Sequence, residues 1–174
     1  MLQPKTDWYW YTQQHTLCIS LGDEFEFTTA FNLDKLVNTP HKSRLFSLAD
    51  SECYLHLADK LEESSIALSD AQTTQLLLNA CAALAFHKPM SPKSWYFEVQ
   101  DNFGVYKKLA LLESKFGEGL VLVLEQEYST VTCMLISAGL QLNETKSLKQ
   151  FQLIKVMADR LVPYIAKTSI LKTA

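Results

Sequence analysis

Glycine and proline are scarce in this sequence, with five of each among 174 residues, and no long polar or low-complexity segment occurs. Disordered chains are usually richer in these residues and poorer in apolar ones, whereas 48% of this chain is hydrophobic. A chain of this length and composition can bury a substantial core. We therefore expect a folded protein, built as one domain or as two small ones.

Cysteine and histidine are also few, and their spacing matches no common metal or redox motif. No CxxC pair occurs, and no HExxH or HxH pattern is present. The sequence therefore predicts no metal site and no cofactor. We expect the four cysteines to be buried free thiols in a reducing compartment. They are Cys18, Cys53, Cys81 and Cys133.

Long apolar runs are absent. The longest, Leu76–Phe86, has eleven residues, whereas a membrane-spanning helix needs about 20. The N-terminal residues MLQPKTDW contain no apolar core of the kind that a signal peptide has. These features predict a cytoplasmic protein that does not insert into a membrane.

Neither charge sign dominates, because the formal net charge is only −3. Residues 1–91 carry six basic and eleven acidic side chains, and residues 92–174 carry ten and eight. A dedicated nucleic-acid module would usually be far more basic. Catalytic motifs are missing as well: Gly117-Glu118-Gly119 lacks the third glycine and the following helix of a phosphate-binding loop. We predict that the protein is not an enzyme.

The first half of the chain predicts a three-stranded antiparallel meander followed by two helices. Trp8–Tyr11 is a run of β-prone aromatic residues, and apolar and polar residues alternate over Leu17–Leu21 and Glu24–Thr29. A helical turn is expected over 32–37. Asp50 could cap a helix that ends at Glu63, although alternation over 53–57 also permits a strand start. Ser69 and Gln72 form a capping-box pattern that opens a buried helix through Phe86.

Pro89 and Pro92 interrupt the chain, because proline lacks an N–H and restricts the preceding residue. We therefore predict two domains, residues 1–91 and residues 92–174. Short apolar runs in the second domain predict the strands of a small barrel or sandwich. These runs are Trp95–Val99, Val105–Leu112, Leu120–Glu125 and Thr130–Ser137. Residues 152–165 fit either a helix or a tight hairpin, and Pro163 favours the hairpin.

Aromatic and basic side chains are the remaining candidates for function. Trp8 and Trp10 point to one side of the first strand, and Tyr9 and Tyr11 point to the other. One side should be core and the other a binding patch, since amphipathic aromatics favour interfaces. Lys88 and Lys93 flank the proline break, and Arg160 lies beside the proposed hairpin turn. As a set, these cations could bind an acidic, partly apolar peptide.

Three blocks of this sequence resemble the ZapC family of gammaproteobacterial cell-division proteins. They are Asp7–Tyr11, Lys88–Phe97 and Ile154–Pro163. The resemblance implies an α+β fold, in which an N-terminal α/β domain (antiparallel meander plus helices) precedes a small twisted β-barrel-like domain. It also implies a non-enzymatic monomer that binds the acidic filaments of the tubulin-like GTPase FtsZ. Such proteins bundle protofilaments laterally and stabilise the Z-ring at the division septum.

Two contact regions for FtsZ follow as a hypothesis. One lies on the meander around Trp8, Trp10 and Ile19. The other lies on the barrel face near Trp95 and Arg160, with Lys88 and Lys93 close by. The alternative function is a small barrel that binds single-stranded nucleic acid on aromatic platforms, and a third possibility is an enzyme with its site at the domain junction.

Overall fold

A computed structural model describes residues 1–101 and 109–166. Within these ranges, two helices and three antiparallel sheets form an α+β fold, which confirms the predicted class. Residues 105–108 of the predicted strand Val105–Leu112 lie outside the described ranges. No helix within the described ranges is long and apolar enough to cross a membrane.

The N-terminal sheet has four antiparallel strands in the order β3-β2-β1-β4. They are β1 (Tyr9–Gln13), β2 (Thr16–Ser20), β3 (Glu26–Asn32) and β4 (Ser43–Leu45). The first three confirm the predicted meander. Gln14 and His15 both have positive φ, as the tight turn between two hairpin strands requires. Strand β4 was not predicted, because three residues are too few to show alternation.

Two helices pack against this sheet, and side-chain caps fix where each begins. In α1 (Leu48–Glu63), the Ser47 hydroxyl accepts a hydrogen bond from the Asp50 N–H, and the Asp50 carboxylate accepts one from the Ser47 N–H. The prediction that Asp50 itself caps the helix was wrong by three residues. Helix α2 (Asp70–Phe86) has the predicted capping box at Ser69. The turn expected near 32–37 is a 3-10 turn, Leu33–Lys35.

The second half contains a five-stranded sheet in the order β10-β7-β6-β5-β11, and β8 pairs with β9 in a small hairpin. The strands are β5 (Leu109–Ser114), β6 (Gly117–Glu127), β7 (Thr130–Leu135), β8 (Gly139–Gln141), β9 (Ser147–Lys149), β10 (Leu153–Met157) and β11 (Leu161–Pro163). Residues 117–119, which were predicted as a turn, instead begin the long strand β6.

The predicted hairpin over 152–165 is correct in its strands and wrong in its pairing. Strand β10 pairs with β7 and strand β11 pairs with β5, so the two strands form opposite edges of the sheet. Only the 3-10 turn Ala158–Arg160 joins them. A connection this short spans at most about 14 Å, so the sheet must curl until its edges approach. No sheet in the described residues closes into a barrel, and the predicted barrel-like domain is not confirmed.

Residues 93–100 cross the gap between β10 and the part of β5 that extends beyond β11. The predicted strand over 95–99 is wrong. Ser94–Tyr96 forms a 3-10 turn. On one side, Lys93 N–H donates to the Lys155 carbonyl at 2.8 Å. On the other side, Glu98 N–H donates to the Glu113 carbonyl at 3.1 Å. The segment thus supplies hydrogen-bond donors to backbone carbonyls of both strands. These contacts are with distant residues, so the pattern of the segment's own sequence could not indicate them.

The core contains two apolar clusters that meet at the five-stranded sheet. Helix α2 lies in the first cluster, between the N-terminal sheet and one face of β6, where Leu122 and Leu124 contribute. Val121 and Val123 point the opposite way, into the second cluster inside the curled sheet. The first cluster thus contains residues from both halves of the chain. The boundary between residues 91 and 92 stays a prediction.

Candidate protein-interaction surfaces

Trp8, Trp10 and Ile19 are all 0% exposed. Trp10 packs edge-on against Phe86 with ring centroids 5.6 Å apart. Ile19 lies opposite Trp10 in the strand register and faces the same helices. Their side chains lie in the core and not on the surface, so a contact on this part of the meander would have to be made by other side chains. Trp8, Trp10 and Ile19 support the sheet from its inner side.

The outer face of the same sheet carries the other aromatic pair. The rings of Tyr9 and Tyr11 lie 5.9 Å apart, and Leu45, paired with Tyr9 in the register, is 67% exposed. Burial and a hydrogen bond with Glu26 raise the pKa of Tyr11 to about 12. We call Tyr9, Tyr11 and Leu45 the tyrosine face. The sequence had left open which aromatic side was core.

Trp95 is 71% exposed on the 3-10 turn that crosses the sheet gap. Its ring lies 5.4 Å from that of Tyr96, which is half-buried. Beside it is a surface pocket of about 440 Å³, whose lining includes Phe97, Lys115 and Phe116. Phe116 is itself 51% exposed. We call this the Trp95 pocket, an aromatic-rich surface whose lining also includes the charged side chains of Glu98 and Lys115.

Ser94 anchors that turn and is almost fully buried. Its hydroxyl accepts a hydrogen bond from the Met157 N–H at 2.7 Å, and its carbonyl accepts one from Arg160 Nε at 3.2 Å. Arg160 Nη1 also lies 3.2 Å from the Asp159 carboxylate, and only 18% of the Arg160 side chain is exposed. Arg160 therefore helps to position Trp95 through its hydrogen bond with the backbone of the preceding residue. The sequence had suggested instead that Arg160 is an exposed cation.

Lys93 and Lys88 occupy different places. Lys93 is exposed and adjoins the Trp95 turn. The Lys88 ammonium donates to the Asp34 carbonyl at 2.6 Å, against the N-terminal half. Lys88 also lines a pocket of about 240 Å³ between the two halves. The structure thus joins Lys93, Trp95 and Arg160 through one turn and leaves Lys88 apart.

Lys155 is a residue that sequence reasoning missed. Its carbonyl accepts the hydrogen bond from the Lys93 N–H, and its ammonium pairs with the Glu127 carboxylate at 2.9 Å. It lines the same pocket as Lys88, so it connects the two basic positions. The sequence could not indicate that Lys155 contacts Lys93, because the contact is a backbone hydrogen bond that does not depend on the lysine side chain.

Among residues 1–101 and 109–166, no group of three or more His, Cys, Asp and Glu side chains could hold a metal ion. The tyrosine face and the Trp95 pocket both expose large aromatic or apolar side chains, which are typical of surfaces that contact another protein.

Comparison with known proteins covers almost the whole chain. A family model described as "Cell-division protein ZapC, N-terminal" matches residues 1–88, and one described as "Cell-division protein ZapC, C-terminal" matches residues 89–167. The cell division protein ZapC of Pseudoalteromonas atlantica is 46% identical over 100% of both chains. That of Shewanella woodyi is 38% identical over 94% of this chain and 92% of the relative. That of Shewanella oneidensis is 37% identical over 96% of each. This chain therefore belongs to the ZapC family of cell-division proteins.

Proposed function

We propose that this protein is a non-enzymatic component of the bacterial division ring that binds FtsZ filaments and bundles them laterally. Membership of a cell-division family supports the process. The observation that carries the proposal is Trp95, a large aromatic side chain that is 71% exposed on a turn held by buried hydrogen bonds. Such a pre-ordered aromatic side chain loses little conformational entropy on binding.

The Trp95 pocket is the first contact surface that we assign to FtsZ. Trp95 and Phe116 supply apolar area, and Lys115 lines the pocket together with Glu98. Lys93 adds positive charge on the adjoining turn. An acidic filament would be oriented by these cations, and the apolar side chains would supply most of the affinity. Arg160 would act indirectly by holding the turn. Lys88 lies apart from this surface, in the pocket between the two halves, and would add positive charge there.

The second contact surface that we assign is the tyrosine face, in place of the buried Trp8, Trp10 and Ile19 of the sequence hypothesis. Tyr9 and Leu45 are exposed neighbours on an open sheet face. Bundling of acidic filaments needs a bridge that overcomes their repulsion. A monomer with one contact surface in each half could bridge two filaments, and loss of either surface would abolish the bridge.

The test is co-sedimentation with GTP-assembled FtsZ from the same organism, followed by light scattering at low and moderate salt. Trp95→Ala and Lys93→Glu should each lower pelleting about tenfold at subsaturating protein, the effect of a hot-spot residue. Phe25→Ala is the matched control for the first, since Phe25 is 69% exposed in a distant turn. Lys149→Glu is the control for the second, since Lys149 is exposed on β9 and does not line the Trp95 pocket.

Bundling is separable from binding in the same assay. A folded Tyr9→Ala/Leu45→Ala variant should still pellet at saturating concentration but should no longer raise light scattering. If the folded wild-type protein fails to pellet with filaments, the proposed function is wrong. If the Trp95 and Lys93 variants behave like their controls, the function stands and the Trp95 pocket is not the contact surface.

A further inference from the structure

Two cysteines from different helices meet in the first core cluster. Cys53 lies on α1 and Cys81 on α2, and their sulfur atoms are 3.7 Å apart. A disulfide requires about 2.05 Å between the sulfurs. Side-chain rotation would have to close only about 1.7 Å, within helices that already pack together.

We propose that Cys53 and Cys81 form a reversible oxidation site, at which a hydroperoxide converts the two thiols into a disulfide that links α1 to α2. The site is independent of the proposed binding to FtsZ. Cys53 is half-buried and open to a small oxidant, whereas Cys81 is 1% exposed. This difference assigns Cys53 as the attacking thiol and Cys81 as the resolving thiol.

The electrostatics of the pair agree with that assignment. The hydrogen bond from the Cys81 thiol lowers the pKa of Cys53, and the ammonium of Lys60 acts in the same direction. Burial and the Asp50 carboxylate oppose this shift. The same hydrogen bond, together with burial, raises the pKa of Cys81. A thiolate is the nucleophile in such reactions, so Cys53 reacts first.

The reaction balances in two steps. The Cys53 sulfur attacks one oxygen of the hydroperoxide, so an S–O bond forms and the O–O bond breaks. The leaving oxygen takes a proton and departs as water or an alcohol, and Cys53 becomes a sulfenic acid. The Cys81 sulfur then attacks Cys53. The S–S bond forms, the S–O bond breaks, and the hydroxide leaves as water with the proton of Cys81.

The other two cysteines provide internal controls. Cys18 is 2% exposed on the N-terminal sheet, and Cys133 is 0% exposed inside the curled sheet. Neither sulfur lies within hydrogen-bonding distance of another sulfur in the structure. Burial alone also raises the pKa of Cys133, which makes that thiol unreactive. The native fold should therefore direct oxidation to one pair.

The experiment treats the native full-length protein with hydrogen peroxide, blocks free thiols and maps peptides by mass spectrometry without reduction. We expect one linked pair, Cys53–Cys81, in most chains, and its loss after dithiothreitol. Cys18→Ser and Cys133→Ser should leave the link intact. Cys81→Ser should stop the reaction at a sulfenic acid on Cys53, which dimedone traps.

Protein unfolded in urea serves as the reference, because all four thiols can then meet and mixed pairs should form. Mixed pairs from the native protein, or oxidation of Cys53 without a link to Cys81, would overturn the proposal. This test is decisive even if the Cys81→Ser variant does not fold, since the wild-type peptide map alone identifies the pair.

Discussion

Asp50 offers the sharpest test of how the N-terminal half is held together. Its carboxylate is 8% exposed and accepts hydrogen bonds from three elements. Arg44 Nη2 of β4 donates at 2.6 Å, the Ser47 N–H of the α1 cap at 2.8 Å, and Trp10 Nε1 of β1 at 3.4 Å. Asp50→Ala removes all three bonds at once.

The expected cost follows from the kind of bond that is lost. The charge-assisted bond with Arg44 counts at the lower end of its range, about 1.5 kcal/mol, because that side chain is 40% exposed. Loss of the bond from the Ser47 N–H, which is one half of the capping box, costs about 1 kcal/mol. The indole N–H of Trp10 is left buried without a partner, which costs about 1 kcal/mol more. We expect the free energy of unfolding to fall by about 3.5 kcal/mol, a large share of a typical 5–15 kcal/mol.

Urea unfolding followed by tryptophan fluorescence measures this directly, because Trp8 and Trp10 lie in the same core. The midpoint should fall while the denaturant slope stays unchanged. Asp59→Ala, an exposed position on the same helix, is the matched control and should change stability by less than about 0.5 kcal/mol. In the double variant with Arg44→Ala, the two losses should be less than additive.

A loss below about 1 kcal/mol in Asp50→Ala would refute this reasoning, because removing one partner of a buried charged network should cost more. Full additivity of the Arg44 and Asp50 variants would refute the pairing in particular. Either result would mean that apolar packing alone holds β4 and the start of α1 against β1.

Three further outcomes are expected. Ser94→Ala leaves the Met157 N–H of β10 without its partner, so the free energy of unfolding should fall by about 1–2 kcal/mol and the protein should also pellet less with FtsZ. A stability unchanged within error would contradict this expectation. Burial raises the pKa of Tyr54 to about 12 from its ordinary value of 10.0. Because the unfolded chain ionises first, stability should fall as pH rises from 10 towards 12, and Tyr54→Phe should lessen that slope without abolishing it, since Tyr11 shifts likewise. Gly22 has a φ of +73°, so Gly22→Ala should cost about 1 kcal/mol by thermal unfolding, whereas Gly139→Ala, with only ordinary contacts, should cost less.

Local signals predicted the elements whose form depends on neighbouring residues. The capping box at Ser69 and the apolar run that follows it were enough to predict α2. A run of β-prone aromatic residues predicted β1, and alternation predicted β2 and β3. The error at α1 was small, because Ser47 and Asp50 are both good caps and the sequence does not say which takes the first position.

Errors arose where a residue's role depends on distant partners. Strands β10 and β11 were recognised, but a three-residue turn can join hairpin neighbours or the two edges of a curled sheet. The segment at Ser94–Tyr96 resembles a strand until the gap that it crosses is known. Arg160 resembled a surface cation until its contact with the Ser94 carbonyl was known. The sulfur contact between Cys53 and Cys81 has no signal in the sequence, because 28 positions separate them.

By itself, the sequence determined the class of fold, the main helix, the meander and, through three blocks of residues, the family. Only the tertiary structure decided which aromatic side of β1 is buried. A period of two separates Trp8 and Trp10 from Tyr9 and Tyr11, yet both sides are aromatic, so composition favours neither. The helices cover the tryptophan side, and the tyrosine face stays open. Alternation specifies that a strand has two faces, whereas the elements that pack on it determine which face is inside.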